Sequence, residues 1–457
     1  MRKITLASVL SLCVTPVLFW STESQAIPSW ARKYEVSCLM CHSGMPQRNA
    51  IGEAFKNNGY RMPGGAEAVF TRQQQIKIGT DEWKKTVRAP MSSSFPQFDP
   101  LSVVLTGNLL SYTAPTYTSN GDPASAVAFN YNVPGAVAFF FGGSIGDQLT
   151  VFGEVNGFGG NSTYDTDDDK TAAGPTVAVD SPPINANVRV VWEFNPGLNI
   201  ALGNNFSNAS WNGVSVGGVV NVSGVLPAPG TYAELNYTRG DVGGYSITAG
   251  TSMAAKNSTP IVATENKIDD ILYLRGKVKL FGAGLLTGAN GEFGNPYTGL
   301  DNQITLGAGL SYSKNNLAVK NLKTGITPTK GFTSGYAGET LVYGGDIQGV
   351  YNDFLVGAAL SHDRDLQLNN FKAEIGHYLY SWIYVKAAYS DLANSAKLTA
   401  KVPVPYDVHQ PTLAGSLTAW LSSAVSIAGT YTHFTKESVA SGTNNADSFA
   451  LAVRAGF

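Results

Sequence analysis

The chain has 457 residues, of which only 14 % are charged and 11 % are aromatic, and it contains 50 glycines. Apolar residues are plentiful, yet after the N-terminal stretch no segment is long and apolar enough to be a membrane helix. This composition favours one large β-barrel with a small attachment over several soluble domains. The formal net charge of −2 argues against a nucleic-acid partner.

Residues 1–26 have the features of a Sec-type signal peptide. A basic start and an apolar run over residues 4–20 precede a small-x-small pattern that ends at Ala26. Cys13 lies inside the apolar run and is expected to be lost on cleavage. Two cysteines then remain in the exported chain.

These two cysteines lie in the stretch Cys38-Leu39-Met40-Cys41-His42, which has the spacing of c-type haem attachment. Such spacing puts two thiols on one face of a short helical turn, where they can add to the two vinyl groups of a haem. His42 then presents its imidazole to the iron as the proximal ligand. Half of a zinc site and a redox dithiol are the alternatives, but after His42 no His or Cys occurs again until His362. The motif therefore predicts one covalently attached haem c on Cys38, Cys41 and His42.

Residues 27–95 are predicted to form a small α-helical c-type cytochrome domain together with its linker. Apolar positions over residues 51–55 have helical spacing. Met62 follows His42 by twenty residues, far enough to reach the other face of the haem, and is the candidate distal ligand. A thioether there would raise the reduction potential. The alternatives are that Met62 packs on the haem edge, that a histidine from elsewhere ligates the iron, or that the sixth position is open.

Residues 96–457 are predicted to form an outer-membrane β-barrel of about sixteen antiparallel strands. From about Leu101 onward the sequence alternates with period two. The last strand shows the pattern best, since the apolar positions Phe449, Leu451 and Val453 alternate with small or polar ones and the chain ends on a Phe. Only a closed barrel satisfies every backbone group in lipid without leaving a free edge.

Connection lengths support the same architecture. Counted from the C-terminus, long polar segments alternate with tight turns, which is the outer-membrane arrangement with the long loops outside the cell. The predicted long segments are 362–370, 391–411 and 435–447, and the predicted turns lie near 195–197, 239–244, 351–353, 380–381 and 421–423.

The remaining histidines are predicted to be structural. His362, His377 and His433 continue the outward phase of their strands near the strand ends, whereas His409 falls in a long loop. The sharper alternative is a surface site for Fe(II) or Ca(II), because carboxylate oxygens suit such ions. The residues that could form such a site are His362 with Asp363 and Asp365, and separately the acidic run Asp165, Asp167, Asp168 and Asp169.

The run from Ile27 to Tyr60 resembles the N-terminal signature of the fused monohaem cytochrome c–porin family, the outer-membrane Fe(II) oxidases of iron-oxidising bacteria. Trp30 and Ile51 stand where the family usually has Phe, which leaves the subgroup and the donor open. The matching positions are Pro28, Ala31, Arg32, Cys38, Cys41, His42, Pro46, Gly52, Phe55, Lys56, Gly59 and Tyr60.

The resemblance implies an electron conduit in the bacterial outer membrane. Extracellular Fe(II) would be the electron donor and a periplasmic cytochrome or cupredoxin the acceptor, which would make the chain an Fe(II)-oxidising oxidoreductase. The haem domain is expected at the periplasmic side or inside the barrel, plugging its lumen. A homotrimer in the lipid is a further expectation, because barrels of this size are often trimers. Two other functions stay open: a redox-gated channel with a haem plug, and a haem peroxidase.

Overall fold

The computed structural model describes the chain in a series of stretches. The predicted signal peptide of residues 1–26 and the predicted linker before residue 101 lie outside them. Within the described residues no α-helix is long and apolar enough to cross a membrane. The described residues are 30, 34, 36, 38–44, 47–63, 101–114, 128–145, 148–158, 185–204, 207–209, 231–253, 270–291, 293–295, 298–313, 340–364, 368–393, 409–421, 425–435 and 447–456.

Sixteen strands within these stretches form a closed antiparallel barrel, which confirms the predicted architecture and strand number. The last strand pairs with the first, with Phe449 opposite Tyr112, so the sheet has no free edge. The barrel strands are β3 (Leu101–Thr113), β4 (Ala128–Ile145), β5 (Leu149–Phe158), β6 (Asn185–Asn195), β7 (Leu198–Asn204), β8 (Thr231–Arg239), β9 (Val242–Met253), β10 (Asp270–Ala283), β13 (Gln303–Ser313), β14 (Thr340–Tyr351), β15 (Phe354–Asp363), β16 (Leu368–Tyr380), β17 (Ile383–Ala393), β18 (His409–Trp420), β19 (Val425–Phe434) and β20 (Ser448–Gly456).

Alternation along the strands gives the barrel an apolar outer face and a polar lumen. In β15, Phe354 and Leu360 are 51 % and 59 % exposed, whereas Leu355 and Ser361 are buried. The lumen side carries ion pairs such as Lys279 Nζ to Asp301 Oδ2 at 2.6 Å. Exposed aromatic residues also gather at the strand ends near the short turns, as in the interfacial girdles of membrane barrels; they include Trp192, Phe194, Tyr351, Tyr380 and Trp382. A closed barrel with an apolar outer face, a polar lumen and aromatic residues near the strand ends has the features of an outer-membrane barrel.

Connections at the two ends of the barrel differ in length, as predicted. Two residues separate β6 from β7, β8 from β9, β14 from β15 and β16 from β17. The opposite end has long connections, including those over residues 394–408 and 435–447. The predicted long loop over 362–370 is wrong. Its polar residues extend the β15–β16 ladder, with Asp363 opposite Leu368, and only residues 364–367 are left as the connection.

One connection at the short-turn end is long. Residues 284–302 link β10 to β13 and contain the small hairpin of β11 (Phe293–Asn295) and β12 (Leu300–Asp301). Leu285 and Leu300 within this connection are both 1 % exposed. The connection is therefore packed into the protein, and below it is called the inner connection.

The histidine predictions are partly confirmed. His362 Nδ1 lies 2.8 Å from Asn369 Oδ1, and the His377 ring stacks on the outward-facing Phe354 with the ring centres 4.0 Å apart. His409 was predicted within the loop of residues 391–411, but it is the first residue of β18, so that prediction is wrong by the position of the strand start. Asp363 is 8 % exposed and faces the lumen, on the opposite side of the sheet from His362. Within the described residues no three potential metal ligands come together; Asp365 and the run 165–169 lie outside them.

Candidate functional site

The Cys-x-x-Cys-His stretch forms a short turn followed by a small hairpin. A 3-10 turn spans Cys38–Met40, and β1 (His42–Gly44) then pairs with β2 (Gln47–Arg48). The His42 Nδ1 atom lies 3.1 Å from the Gln47 carbonyl oxygen. Because a carbonyl can only accept, Nδ1 must carry the proton, and in the neutral ring Nε2 then has the lone pair that a metal requires. The hairpin thus fixes both the tautomer and the orientation of His42.

Asn49 joins this motif to the helix that follows, α1 (Ala50–Asn57). It is the N-cap, and its side-chain oxygen accepts from the Gly52 amide at 3.0 Å. Its side-chain amide donates to the Leu39 carbonyl at 3.0 Å, and its backbone amide donates to the Cys41 carbonyl at 3.0 Å. One asparagine therefore starts the helix and holds the Cys-x-x-Cys-His turn.

Helix α1 also packs closely against the turn through a glycine. A Cβ added at Gly52 would lie 2.0 Å from the Cys41 carbonyl oxygen. Any larger residue would push the helix and the turn apart. Cys41 itself is half-buried, while the Cys38 side chain lies outside what the structure describes.

Beyond the helix the chain packs into an aromatic cluster. Helical spacing over residues 51–55 is confirmed by α1, and Phe55 is buried on its inner side. Met62 is 6 % exposed and packs with Phe55 and Tyr34, against which Trp30 and Tyr60 also lie. The structure thus places the candidate distal ligand in a buried apolar setting. Its role as an iron ligand stays a prediction.

Charge pairs hold α1 to the barrel wall. Glu53 Oε1 lies 2.6 Å from Lys277 Nζ on β10, and its Oε2 lies 3.2 Å from Arg48 Nε. Burial alone would raise the pKa of Glu53, but Lys277, Arg48 and Lys56 more than offset this and hold the pKa well below its usual range. Burial, together with the nearby Arg48, lowers the pKa of the half-buried Lys56 to about 7.

Amide side chains at the helix end bind the inner connection. Asn57 Nδ2 donates to the Leu285 carbonyl at 2.8 Å, and Asn58 Nδ2 donates to the Leu286 carbonyl at 2.7 Å. From the wall, Asn199 Nδ2 donates to the Asn57 carbonyl at 3.3 Å. Each of these bonds satisfies a buried or half-buried backbone carbonyl, and losing one would cost about 1 to 3 kcal/mol.

The segment that follows α1 reaches the opposite part of the wall. The Tyr60 ring stacks on Phe152 with ring centres 5.3 Å apart. Arg61 donates to the Leu149 carbonyl at 3.0 Å and lies 3.6 Å from Glu193 Oε2. These contacts join the segment to β5 and β6.

The β1–β2 hairpin contacts a third part of the wall. The Tyr378 hydroxyl donates to Ser43 Oγ at 3.2 Å and also to Gln47 Oε1. Gly44 lies against the Trp420 ring, which would be 2.5 Å from a Cβ at this position. Tyr378 and Trp420 face the lumen, because their strand neighbours Leu379 and Leu421 are exposed on the outer face.

The side chains of these wall residues point inward, apart from that of Leu149, which contributes its carbonyl. All of them lie in the strand halves next to the short turns. The described residues 38–63, called the inner segment below, therefore pack against the lumen wall at the short-turn end of the barrel. In outer-membrane barrels that end faces the periplasm. Of the predicted helical cytochrome domain, the described residues show the eight-residue helix α1 and helical backbone at Trp30 and Tyr34. The full extent of the domain stays a prediction.

The fold and its surface define a closed sixteen-stranded barrel of the outer-membrane type. Among solved structures, the chain is similar to OprB of Pseudomonas putida, with 9 % identity, a TM-score of 0.48, and coverage of 78 % of this chain and 93 % of that one. It is also similar to OmpF of Salmonella typhi, solved in complex with daunomycin, with 12 % identity, a TM-score of 0.43 and coverage of 78 % and 97 %. OmpT of Vibrio cholerae, with its loop L8 deleted, gives 11 % identity, a TM-score of 0.39 and coverage of 79 % and 100 %. No family model and no curated protein matches the sequence.

Proposed function

We propose that the chain is an outer-membrane electron conduit, in which a single haem c on Cys38 and Cys41 takes electrons from extracellular Fe(II) and passes them to a periplasmic cytochrome or cupredoxin. The observation that carries the proposal is the His42–Gln47 hydrogen bond, which prepares Nε2 to ligate iron. A ligating histidine usually donates its other ring N–H to a carbonyl or carboxylate in this way.

The surroundings of the motif also suit a large apolar cofactor. Leu39 and Met40, between the two cysteines, are 49 % and 39 % exposed. Apolar side chains flanking an attachment site can cover a porphyrin edge. The alternative of half a zinc site finds no support, since no group of three potential ligands occurs within the described residues. The donor set therefore fits haem better than a small metal ion.

The position of the inner segment gives the barrel a role in the conduit. A donor outside the cell can enter the lumen from the long-loop end, while a periplasmic carrier can approach from the short-turn end. Part of the β7–β8 loop extends inward from the long-loop end: Ser207 Oγ donates to Glu234 Oε2 at 2.6 Å, and Ala209 packs in a cluster that Tyr60 also contacts. The barrel would thus insulate a redox centre that both ends can reach.

Met62 would set the potential of this centre. A buried thioether ligand favours the reduced iron and suits an electron carrier, whereas an open sixth position would suit a peroxidase. We expect the Met62→Ala variant to have a lower midpoint potential and an altered oxidised spectrum. If both stay unchanged, Met62 is not the ligand, and peroxide turnover by the native protein should then be assayed.

A redox-gated channel is the second candidate, and it is favoured by a polar cavity that remains in the lumen beside the inner segment. The contacts of the inner segment argue against this channel, because a buried ion pair and several hydrogen bonds hold it to the wall. Reduction or oxidation of the haem by one electron would have to break these contacts to open the lumen. Solute conductance through planar bilayers that changes with haem redox state would support the channel. Conductance independent of redox state would leave the conduit as the better account.

The decisive test adds Fe(II) anaerobically to intact cells that express the protein while the reduced haem band is recorded. We expect prompt reduction in the native protein and none in Cys41→Ala, which lacks a thioether thiol. Met40→Ala is the matched control, because it changes the same turn and keeps the attachment residues. A native haem that is reduced by dithionite but not by Fe(II) would refute the proposed donor.

A further inference from the structure

A polar cavity lies between the inner segment and one side of the barrel wall. Its volume is about 560 Å³, enough for a ligand with several polar groups. It is bounded by Gln47 of the inner segment and by strands on both sides of the closing β20–β3 pair. The wall contributes Lys386, Arg454 and the Tyr384 hydroxyl to the lining, together with further amide and hydroxyl side chains.

The charge of this lining is one-sided. Lys386 and Arg454 both line the cavity, and none of the described residues that line it is a carboxylate. The nearest ion-pair partner of Lys386 is Glu374, at 3.6 Å, and Glu374 also binds Lys372 at 3.3 Å. For Arg454, no carboxylate lies within 4.0 Å among the described residues. Glu154 attracts its guanidinium from a greater distance, so this half-buried cation has no carboxylate in direct contact to offset its desolvation.

The neutral part of the lining contains a second unsatisfied group. Tyr384 is 5 % exposed, and its hydroxyl interacts with the nearby Gln47 side chain but makes no hydrogen bond of good geometry within the described part of the chain. A buried hydroxyl without a partner is costly, and a ligand oxygen in the cavity would satisfy it. Two cations and a buried hydroxyl facing one space are the groups that bind a carboxylate.

We propose that this cavity is a carboxylate-binding site, with Lys386 and Arg454 as the charged partners and the Tyr384 hydroxyl as a further donor. The carboxylate could come from two sources. One is a solute that enters the lumen. The other, which rests on the proposed function, is the pair of propionates of the attached haem, because Gln47 lines the cavity and its carbonyl also accepts from His42.

The test uses citrate as the probe and isothermal titration calorimetry on the full chain in detergent, in both haem-loaded and haem-free forms. The haem-free form is Cys38→Ala/Cys41→Ala. We expect Lys386→Gln/Arg454→Gln to weaken citrate binding at least tenfold. Arg275→Gln is the matched control, because it removes a lumen-facing charge that pairs with Asp346 and does not line the cavity. Arg454→Lys should keep most of the affinity.

The two sources give different results. Equal citrate binding to both forms, lost in the double variant, assigns the site to a solute. Citrate binding to the haem-free form alone, with a lower haem midpoint potential in the double variant, assigns the site to the haem carboxylates, because removing nearby cations stabilises the oxidised haem. If neither form binds citrate and the potential does not change, the inference is overturned. In that case prompt Fe(II) reduction in the native protein would leave the proposed function standing.

Discussion

Charge pairing between Glu53 and Lys277 is expected to dominate the docking of α1 onto the barrel wall. The Glu53 side chain is 4 % exposed and lies 2.6 Å from Lys277, whose side chain is 13 % exposed. Removing one partner of a fully buried pair costs about 3 to 5 kcal/mol. Lumen water reaches Lys277 and Arg48, so we expect about 2 to 3 kcal/mol for Glu53→Gln, which corresponds to a 30-fold to 150-fold larger opening equilibrium.

Hydrogen exchange followed by mass spectrometry on the full-length protein measures this opening. The amides of residues 50–57 should exchange about 30 to 150 times faster in Glu53→Gln than in the native protein. Lys277→Met should give a similar effect. The double variant should lose less docking free energy than the sum of the losses in the two single variants. Lys372→Gln, which disrupts a lumen-facing pair away from the inner segment, should leave these amides unchanged. Native-like protection in Glu53→Gln would refute docking by charge.

Three further predictions concern the same segment. Gly52→Ala should lower the haem content per protein, measured as the pyridine haemochrome, because its Cβ would collide with the Cys41 carbonyl, whereas Gly276→Ala, with no atom within 4 Å of its added Cβ, should not. The depressed pKa of Glu53 means that its contribution to docking is complete above the ordinary glutamate pKa and is lost only as pH falls further, so the protection factors over residues 50–57, which are corrected for the pH dependence of intrinsic exchange, should stay constant from pH 8 to about 5. Lys56, with a pKa of about 7, should gain reactivity towards acetic anhydride mainly between pH 6 and pH 8, and an increase only above pH 9 would contradict the lowered pKa.

The barrel could be predicted from the sequence because its signal repeats. A single alternating strand such as β20 is compatible with several folds. Sixteen such strands in series, joined alternately by short and long connections, are compatible with few folds other than an outer-membrane barrel. The error at residues 362–370 came from reading polar residues as loop. In a water-filled barrel the lumen face is also polar, so a strand can continue through residues such as His362 and Asp363.

The contacts of the inner segment with the wall could not be predicted in the same way. Glu53 and Lys277 are 224 residues apart in the chain, and Tyr378 and Ser43 are 335 apart. No local pattern connects such positions. The inner connection was also missed, because residues 284–302 contain five glycines and resemble an ordinary loop. Its length, unusual for a connection at the short-turn end, could have indicated it.

The arrangement of these contacts bears on how the proposed function would work. The inner segment is joined to β5 and β6 through Tyr60 and Arg61, to β10 through Glu53, and to β16 through the β1–β2 hairpin. A segment fixed on three sides of a barrel must break several independent contacts before it can leave. An electron, in contrast, can cross a fixed centre with little movement of the protein. Rigid docking of the His42 motif therefore favours transfer of electrons over gated passage of solutes.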